Sequence, residues 1–281
     1  MIYDHLLRSR LDKILTVFQR IRLRFWSSLR PSSWSHLNRL MTNGTIRQAP
    51  YRTVALVPAA GRGLRMGSHL PKQFLTLGGQ PVLVHALRTL EAADPIDGII
   101  LAVPEAEREF CLTEIVSRHG FKKVTKIVSG GDQRQDSVRQ ALFAVSEETD
   151  LVIVHDAVRP FLTQEMIRLV IEQATKHGAA MVAIPMRDTV KQVGPDGLIE
   201  GTVDRRDLWL AQTPQAFRRK LLQEAHQKAE RDGFHATDDA QLVERLGHRV
   251  AVVQGSTENI KITRPEDLAI GEAMLAARRN R

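Results

Sequence analysis

Residues 54–67 read Val-Ala-Leu-Val-Pro-Ala-Ala-Gly-Arg-Gly-Leu-Arg-Met-Gly, and Pro-Lys-Gln follows at 71–73. An apolar strand here runs into a glycine-rich loop that carries two arginines, and Lys72 lies just beyond it. Glycines let a loop bring its backbone N–H groups against a ligand, and the neighbouring cations indicate a ligand with several negative charges. The stretch therefore predicts a strand that ends in a polyphosphate-binding loop.

Two familiar phosphate loops do not fit this stretch. A dinucleotide-binding fingerprint needs a third glycine at Met66, and a Walker A loop needs Gly-Lys-Ser/Thr at residues 66–68. The loop carries more fixed positive charge than either, as expected where a nucleoside triphosphate is both held and reacted. The alternative is a surface turn with solvated arginines.

The composition limits the class of protein. The chain has 281 residues, 43% of them hydrophobic, which is enough to bury a full core. The single cysteine, Cys111, excludes an intrachain disulfide and a thiolate zinc cluster, and it fits a reducing compartment. No apolar run approaches the roughly 18 residues that a membrane-spanning helix needs, so we expect no integral membrane segment.

The net charge of +8 indicates nucleic-acid binding only until it is located along the chain. Residues 1–50 hold nine Lys or Arg and two Asp or Glu, whereas the remaining residues hold 31 and 30. The body is therefore near neutral, and we expect no nucleic-acid partner.

Residues 1–52 form a basic extension and linker, separate from a main domain at 53–281. Apolar residues recur on one helical face at positions Leu7, Leu11, Ile14, Phe18, Ile21 and Phe25. A basic amphipathic helix can lie on an anionic membrane or act as a transit peptide. Alternatively, translation begins at Met41 and residues 1–40 are non-native, disordered or dispensable. We expect a cytoplasmic protein, and a plastid one only if residues 1–50 are a genuine transit peptide.

The main domain alternates short apolar runs with helical patterns. Strands are predicted at 53–58, 98–103, 125–129, 151–155, 179–184 and 250–254. Helices are predicted at 81–93, 105–119, 134–147, 163–177, 218–232, 238–246 and 264–278. The strands are apolar throughout, which is typical of strands covered on both faces, so we expect an α/β fold with a doubly wound, mostly parallel sheet. Ligands of such sheets bind beyond the carboxyl ends of the strands.

Residues 187–205 break this alternation. They contain two alternating strands around a Pro-Asp-Gly turn, which predicts a β-hairpin. Its faces are too polar to be core, and an isolated hairpin is only marginally stable in water. We therefore expect this arm to contact a second copy of the chain.

Two loops at strand ends carry polar residues suited to a nucleotide. Residues 130–137 begin with two glycines, which allow close backbone approach, and the acidic residues and the serine that follow could hold a base or ribose. Asp132 could instead merely cap the next helix. Asp156 follows the buried strand 151–155 and is well placed to hold Mg²⁺, which usually takes one or two carboxylates plus phosphate oxygens. The alternative is a structural turn aspartate. His155 is expected to point away from this site, as a core histidine rather than a base.

Three later residues complete the set of candidates. Thr213 lies in Gln-Thr-Pro-Gln, and Thr237 could be only a helix N-cap. Lys261 sits between apolar neighbours in a strand-like run, where its ammonium either snorkels to water or meets an anion. Motifs of serine hydrolases, zinc proteases and glycosidases are absent from the sequence. The recurring cations and the one well-placed carboxylate indicate phosphoryl or nucleotidyl transfer, in which catalysis is mainly positioning and charge stabilisation.

These motifs, taken in order over about residues 53–275, resemble the 2-C-methyl-D-erythritol 4-phosphate cytidylyltransferases of the non-mevalonate isoprenoid pathway. The matching segments are Pro-Ala-Ala-Gly-x-Gly-x-Arg-Met at 58–66, Pro-Lys-Gln at 71–73, Gly-Gly-Asp-x-Arg-x-Asp-Ser at 130–137, His-Asp-Ala-x-Arg-Pro at 155–160, Arg-Asp-Thr at 187–189, Thr-Val-Asp-Arg at 202–205, Thr-Pro-Gln at 213–215, Thr-Asp at 237–238 and Asn-Ile-Lys-x-Thr-Arg-Pro-Glu-Asp-Leu at 259–268. Nine motifs occurring together are far more specific than any one of them.

The resemblance implies a Rossmann-like nucleotidyltransferase fold, a homodimer with exchanged hairpin arms, and a role for each matched residue. CTP would be bound by Ala59, Ala60, Gly61, Gly131, Asp132 and Ser137. Catalytic roles would fall to Arg65 and Lys72 at the α-phosphate and to Arg205 and Lys261 at the sugar phosphate. The sugar phosphate would also be bound by Asp156, Arg159, Thr189, Thr213 and Thr237, with Asp156 as the Mg²⁺ ligand and Thr189 and Arg205 serving the partner's site.

Other functions remain open at this stage. A cytidylyltransferase acting on ribitol 5-phosphate shares the fold and much of the loop chemistry. A sugar-1-phosphate nucleotidyltransferase using another base is disfavoured by the motifs at 202–205 and 259–261. A non-catalytic regulator is suggested only by the basic extension, and it would be expected to have lost Arg65, Lys72, Asp156 or Lys261, all of which are present.

Overall fold

The computed structural model describes residues 51–61 and 71–279, which belong to one unit of the chain, Tyr51–Arg281. The predicted amphipathic helix of the extension and the predicted role of Arg65 lie outside these described residues. The fold below is therefore that of the main domain.

A seven-stranded sheet forms the centre of the domain, in the order β11-β7-β10-β6-β1-β4-β5. Every neighbouring pair is parallel except those made by β10, which runs antiparallel to both β6 and β7. The strands are β1 Thr53–Pro58, β2 Thr76–Leu77, β3 Gln80–Pro81, β4 Gly98–Val103, β5 Val124–Ser129, β6 Leu151–Val154, β7 Ala179–Pro185, β8 Val190–Val193, β9 Ile199–Val203, β10 Trp209–Arg218 and β11 Ala251–Gln254. The predicted doubly wound, mostly parallel sheet is confirmed.

Helices connect the strands as the periodicity predicts. Their bounds are α1 Val82–Glu91, α2 Arg134–Phe143, α3 Gln164–His177, α4 Arg219–Arg231, α5 Asp239–Glu244 and α6 Pro265–Arg279. The prediction for residues 105–119 is correct as a helix but not as a regular one. A 3₁₀ turn at Glu105–Glu107 and an α-helical turn at Arg108–Phe110 lead into a π-helical stretch, Cys111–Ser117.

Apolar side chains cover both faces of the sheet. Along β1, Ala55 and Val57 belong to the core on one face, and Val54 and Leu56 to the core on the other. This arrangement explains why the strand has no polar alternation, because each of its faces excludes water. The fully buried Cys111 lies in the first of these cores.

Strand β10 is absent from the sequence prediction. Its ten residues include Pro214 and three glutamines or arginines, and its first three residues are exposed. Proline inside a run normally argues against a central strand, and here the register shifts between Ala211 and Gln215, so the strand is irregular where the proline lies. The predicted strand-like run around Lys261 is wrong, because this residue lies in a loop before α6.

The predicted hairpin is confirmed as β8 and β9, which pair antiparallel in a separate two-stranded sheet. Its turn closes with the Gly197 N–H donating to the Gly194 carbonyl over 3.0 Å. Gly197 has φ +80°, a conformation that glycine adopts without strain. The arm carries exposed hydrophobic side chains, including Leu198 and Ile199.

Candidate active site

Two adjoining clefts open at the carboxyl edge of the sheet, beyond β1, β5 and β6. The first is lined by Pro58, Ala59, Ala60, Gly61, Lys72, Gln73, Gly131, Asp132, Gln133, Arg134, Ser137, Asp156, Ala157, Val158 and Lys261. The second is lined by Arg134, Asp156, Arg159, Ala211, Gln212, Thr213, Gln215, Thr237, Asp238 and Lys261. Arg134, Asp156 and Lys261 belong to both clefts, so they form the wall where two ligands would meet.

The loop after β1 is fixed at its start by two hydrogen bonds. The Ala59 N–H donates to the Ala102 carbonyl over 2.7 Å, and the buried Gln73 amide donates to the Ala59 carbonyl over 2.5 Å. A Cβ placed on Gly61 would lie 3.8 Å from the Lys72 ammonium nitrogen. Lys72 is therefore brought against the glycine loop, as its place in the sequence predicts.

The two glycines after β5 are required by close contacts within the protein. A Cβ on Gly130 would lie 2.3 Å from the Ala60 Cβ, and one on Gly131 would lie 2.3 Å from the Asp136 Cβ. Both distances are far shorter than van der Waals contact. A larger residue at 130 would push the two ligand loops apart, and one at 131 would collide with the start of α2.

Helix α2 is not capped by Asp132. Its N-cap is Gln133, which forms a reciprocal capping box with Asp136. The N-cap alternative for Asp132 is therefore wrong, and its exposed side chain lines the first cleft. Ser137 is buried, and its hydroxyl accepts from the Gly131 N–H over 3.2 Å, so it shapes this loop from beneath.

Asp156 is a buried carboxylate held among three cations. Its Oδ1 lies 2.8 Å from Arg134 Nε, and its Oδ2 lies 2.8 Å from Lys261 Nζ and 3.8 Å from Arg159 Nε. Burial alone would raise the pKa of this carboxyl, but Arg134, Lys261 and Arg159 outweigh burial and hold it well below its ordinary value. Asp156 is therefore ionised at neutral pH.

A chain of hydrogen bonds fixes the backbone beneath Asp156. The Asp156 N–H donates to the Thr213 hydroxyl over 3.0 Å, and this hydroxyl lies 3.1 Å from His155 Nδ1. His155 Nε2 lies 3.1 Å from the Arg159 carbonyl. The consistent assignment is a neutral imidazole, which accepts from Thr213 and donates to that carbonyl. Burial lowers the pKa of His155 to about 4, in agreement with this tautomer and with the prediction that it is no base.

The remaining predicted residues divide between the second cleft and the arm. Thr237 is exposed on this cleft and is not the N-cap of α5, which is Asp238. Thr189 and Arg205 are exposed on the arm and line neither cleft of their own chain. Both side chains therefore lie on the surface of the arm, away from these two clefts.

Two residues at the centre of the site were not identified from the sequence. Arg134 bridges two carboxylates, since its Nη1 donates to Asp239 over 2.7 Å while its Nε contacts Asp156. Asn259 is fully buried, and its amide donates to the Thr213 carbonyl over 2.8 Å. Both residues lie inside motifs quoted above, but their partners are distant in sequence, so no local pattern assigns them these contacts.

The residues present fit a Mg²⁺ ion held mainly by a polyphosphate. No cluster of three or more His, Cys, Asp or Glu in residues 51–61 and 71–279 is arranged to bind a metal by itself. Asp132 and Asp156 both line the first cleft, and Mg²⁺ usually takes one or two carboxylates plus phosphate oxygens and water. Arg134 and Lys261 leave lone pairs of the Asp156 carboxylate available, because a carboxylate offers about four acceptor sites.

The wall between the clefts carries the cations Arg134 and Lys261. Such a wall suits the transfer of a phosphoryl or nucleotidyl group from one anionic substrate to another. Fold and site together define a nucleotidyltransferase of the α/β class. The chain belongs to the 2-C-methyl-D-erythritol 4-phosphate cytidylyltransferase family, whose model matches residues 53–277.

Individual relatives support this membership. The 2-C-methyl-D-erythritol 4-phosphate cytidylyltransferase of Syntrophus aciditrophicus is 50% identical over 224 residues, covering 80% of this chain and 96% of the relative. That of Pelotomaculum thermopropionicum is 46% identical, covering 82% of this chain and 97% of the relative. For the crystal structure of the enzyme from Thermus thermophilus, the match covers 80% of this chain and 99% of the other, with a TM-score of 0.66 and 35% identity. The 4-diphosphocytidyl-2C-methyl-D-erythritol synthase of Anaerococcus prevotii matches with a TM-score of 0.72 at 33% identity over 81% of this chain and 97% of the other.

Proposed function

We propose that this chain transfers the cytidylyl group of CTP to 2-C-methyl-D-erythritol 4-phosphate, giving 4-diphosphocytidyl-2-C-methyl-D-erythritol and pyrophosphate in isoprenoid precursor biosynthesis. The observation that carries this proposal is the wall shared by the two clefts, where Asp156 is surrounded by Arg134, Arg159 and Lys261. Two separate anions can approach this wall from opposite sides. Family membership over residues 53–277 supports the identity of the two substrates.

The first cleft is proposed to bind CTP. One side of this cleft is the loop after β1, with Ala59, Ala60 and Gly61. The facing loop contributes Gly131, Asp132 and Ser137. The ligand thus lies between two loops that are held in contact at Ala60 and Gly130. Lys72, beside Gly61, is placed to reach the α-phosphate, and Arg65 is proposed to act with it.

The second cleft is proposed to bind the sugar phosphate. Lys261 supplies the cation between the clefts, and Arg159, Thr213 and Thr237 line the surrounding surface. Thr189 and Arg205 are proposed to come from the arm of a partner subunit, since they lie away from the clefts of their own chain. The site is then complete only in a homodimer.

The reaction needs no general base. A phosphate monoester has a second pKa of about 6, so the attacking oxygen is already largely anionic at neutral pH. This oxygen forms a bond to the α-phosphorus of CTP. The bond between the α-phosphorus and the oxygen that bridges it to the β-phosphate breaks, and pyrophosphate leaves with that electron pair. Lys72, Arg65 and Lys261 reduce the repulsion between the two anions and stabilise the charge that develops on the transferred group.

Mg²⁺ is proposed as the cofactor, with Asp156 as its protein ligand. A bound Mg²⁺ would supply charge neutralisation at the phosphates and at the leaving pyrophosphate. The role of Asp156 in the chain itself is to present an ionised carboxylate at a fixed position, which Thr213 and Arg134 secure.

A homodimer with exchanged arms is supported by the distribution of exposed apolar residues. Among the large hydrophobic side chains that are exposed in the described part of the chain, half fall between residues 193 and 210, on the arm and the start of β10. The most exposed are Leu198 at 68% and Ile199 at 63%. Patches of this kind commonly mark protein–protein contacts.

A cytoplasmic location completes the proposal, supported by bacterial relatives such as the Syntrophus aciditrophicus enzyme. No helix in residues 51–61 and 71–279 has the length and apolarity needed to cross a bilayer. The transit peptide considered for residues 1–50 lies outside the described residues.

Pyrophosphate release by the purified protein with CTP and Mg²⁺ tests this function. 2-C-Methyl-D-erythritol 4-phosphate should be turned over, and ribitol 5-phosphate should give no more than background. A Lys72→Met variant purified in the same way controls for contaminating enzymes, because it keeps an unbranched side chain of similar size without the charge. Turnover of ribitol 5-phosphate alone would replace the proposed substrate, and no turnover of either by folded dimer would refute the enzyme assignment.

A further inference from the structure

A line of hydrogen-bonded polar and charged side chains leads from the clefts into the core. Arg134 Nε donates to Asp156 over 2.8 Å, and Arg134 Nη1 donates to Asp239 over 2.7 Å. On the far side, His226 Nε2 lies 3.2 Å from the other oxygen of Asp239. We call these four residues the Arg134 bridge. It joins four segments of the chain: the start of α2, the loop after β6, the start of α5, and α4.

The inner end of the Arg134 bridge is almost completely shielded from water. Asp239 is 1% exposed and His226 is 2% exposed. Burial by itself raises the pKa of Asp239, but Arg134 and His226 outweigh it and leave the pKa below its ordinary value. Asp239 is therefore an anion inside the protein, and it holds the guanidinium of Arg134 from behind.

The Arg134 bridge carries a cost in folding stability. Arg134 Nη2 and His226 Nδ1 are both buried without a hydrogen-bond partner in the described part of the chain. A buried polar atom without a partner costs free energy of folding, and buried charge clusters are often replaced by apolar residues without loss of stability. Because this loss of folding free energy occurs beside a ligand cleft, it indicates that the Arg134 bridge has a function.

The two cations nearest to Asp156, Arg134 and Lys261, differ in conformational freedom. Lys261 carries its charge on a flexible stem that faces both clefts, so it can turn towards a bound phosphate. Arg134 presents a planar fork, and one prong is fixed at Asp239. When Lys261 moves to a substrate, Arg134 Nε keeps its 2.8 Å contact with Asp156, while Arg159 Nε lies 3.8 Å away.

We propose that Arg134 is a positioning residue which, supported from behind by Asp239 and His226, keeps the Asp156 carboxylate in its productive place while Lys261 contacts the sugar phosphate. This inference rests on the proposed function and adds to it three residues with an assigned role. Arg134 acts through Asp156, so its loss should slow the transfer step rather than weaken the binding of either substrate.

Steady-state kinetics of Arg134→Lys and Asp239→Asn test the proposal. Lysine keeps the charge but cannot reach both carboxylates, and asparagine keeps the shape but removes the inner charge. We expect kcat to fall by roughly 10- to 100-fold in each variant, because misplacing a catalytic group by about 1 Å can cost 10²-fold. KM for CTP and for the sugar phosphate should change by less than about threefold.

Arg219→Lys is the matched control. Arg219 is also a buried guanidinium, but it bonds the Thr149 carbonyl over 2.9 Å at the opposite edge of the sheet. This control should lower the melting temperature and leave kcat within twofold of wild type. If Arg134→Lys and Asp239→Asn behave like the control, the bridge is structural and the proposal is overturned.

Variants of His226, at the inner end of the Arg134 bridge, distinguish a positioning role from a role in folding. His226→Gln keeps a donor for Asp239, whereas His226→Leu removes it, so kcat should recover in the glutamine variant and fall in the leucine variant. Equal kcat values in these two folded variants would count against the inner support. Arg134 lies on the cleft wall, so Arg134→Lys remains informative even if Asp239→Asn fails to fold. The wild-type rate reports on the proposed function, and the ratio of variant to wild type reports on the bridge.

Discussion

At the scale of single residues, the site is built by surrounding one carboxylate with cations. Asp156 would be costly to bury alone, and Arg134, Arg159 and Lys261 remove that cost. The same cations make the wall attractive to two phosphate ligands at once. A small number of side chains therefore serves both the stability of the empty site and the chemistry proposed for it.

Lys72→Ala should lose kcat by roughly 10²- to 10³-fold, which is the usual effect of removing one preorganised contact to a transition state. The exposed fraction of Lys72 is intermediate and its ammonium reaches the glycine loop, so the fold should survive. Stopped-flow or steady-state pyrophosphate release, with circular dichroism as the check on folding, measures this. Near wild-type turnover would refute the role assigned to Lys72.

His155 makes the stability of the protein depend on pH. The folded pKa of about 4 lies below the ordinary value of 6.5, so the unfolded chain takes up a proton at a higher pH than the folded one. The contribution of His155 is thus complete above about pH 6.5 and is lost as the pH falls towards 4. At pH 4.5 the loss is roughly 2–3 kcal/mol.

Urea unfolding of the metal-free protein between pH 4.5 and 7.5 measures this contribution. A His155→Gln variant keeps a donor for the Arg159 carbonyl without titrating in this range, while all other groups titrate as in wild type. The free energy of unfolding should fall less steeply towards low pH in the variant. Parallel pH curves would show that His155 does not titrate as its surroundings indicate.

At the scale of elements, the two nucleotide loops are positioned by each other. The loop after β1 and the loop after β5 touch at Ala60 and Gly130, and the latter loop is closed from below by Ser137. The end of a strand does not by itself fix the conformation of the loop that follows it. The contact between the two loops fixes their relative position, and together they form one cleft.

Gly130→Ala should therefore disturb both stability and CTP binding. Its new Cβ would lie 2.3 Å from the Ala60 Cβ and 2.8 Å from the Ser137 hydroxyl oxygen. Overpacking of this kind typically costs about 1–3 kcal/mol, and separation of the loops should raise KM for CTP more than KM for the sugar phosphate.

Gly98→Ala is the control for this prediction, because its Cβ would lie 3.4 Å from the nearest atom, in ordinary contact at the other edge of the sheet. Denaturant unfolding and substrate saturation curves compare the two variants. Equal stabilities and equal KM values would show that the loops can separate without consequence.

At the scale of the whole molecule, the arm decides whether one chain holds a complete site. Arg205 donates to the Arg187 carbonyl at the base of the arm and lines neither cleft. A site that needs this residue must receive it from elsewhere. The proposed homodimer supplies it by symmetry, since each subunit gives its arm to the other.

Mixing Arg205→Ala with Lys72→Ala tests the exchange of arms. Each variant alone should be nearly inactive, but a mixed dimer has one site with an intact cleft and an intact arm. After full exchange of subunits in equal amounts, about one quarter of wild-type activity should return, because half of the dimers are mixed and half of their sites are intact. Tagged subunits verify the exchange, and a mixture that stays inactive despite it would place Arg205 in its own chain's site.

Much of the architecture follows from local sequence patterns. Apolar runs such as Leu151–Val154 predict strands buried on both faces, and the Pro-Asp-Gly turn predicts the arm. The residues that line the clefts were found for the same reason, since they lie where strands end. Family resemblance added their roles, which the geometry alone does not assign.

The tertiary structure decided what depends on contacts between distant residues. Strand β10 is polar and interrupted by Pro214, and it becomes a central strand only because β6 and β7 pair with it. Arg134 lies 105 positions from Asp239, so no spacing in the sequence could reveal the bridge. Local propensity sets where strands, helices and loops begin and end, whereas the pairing of buried charges is set by the free energy of desolvation, which exists only once the chain has folded around them.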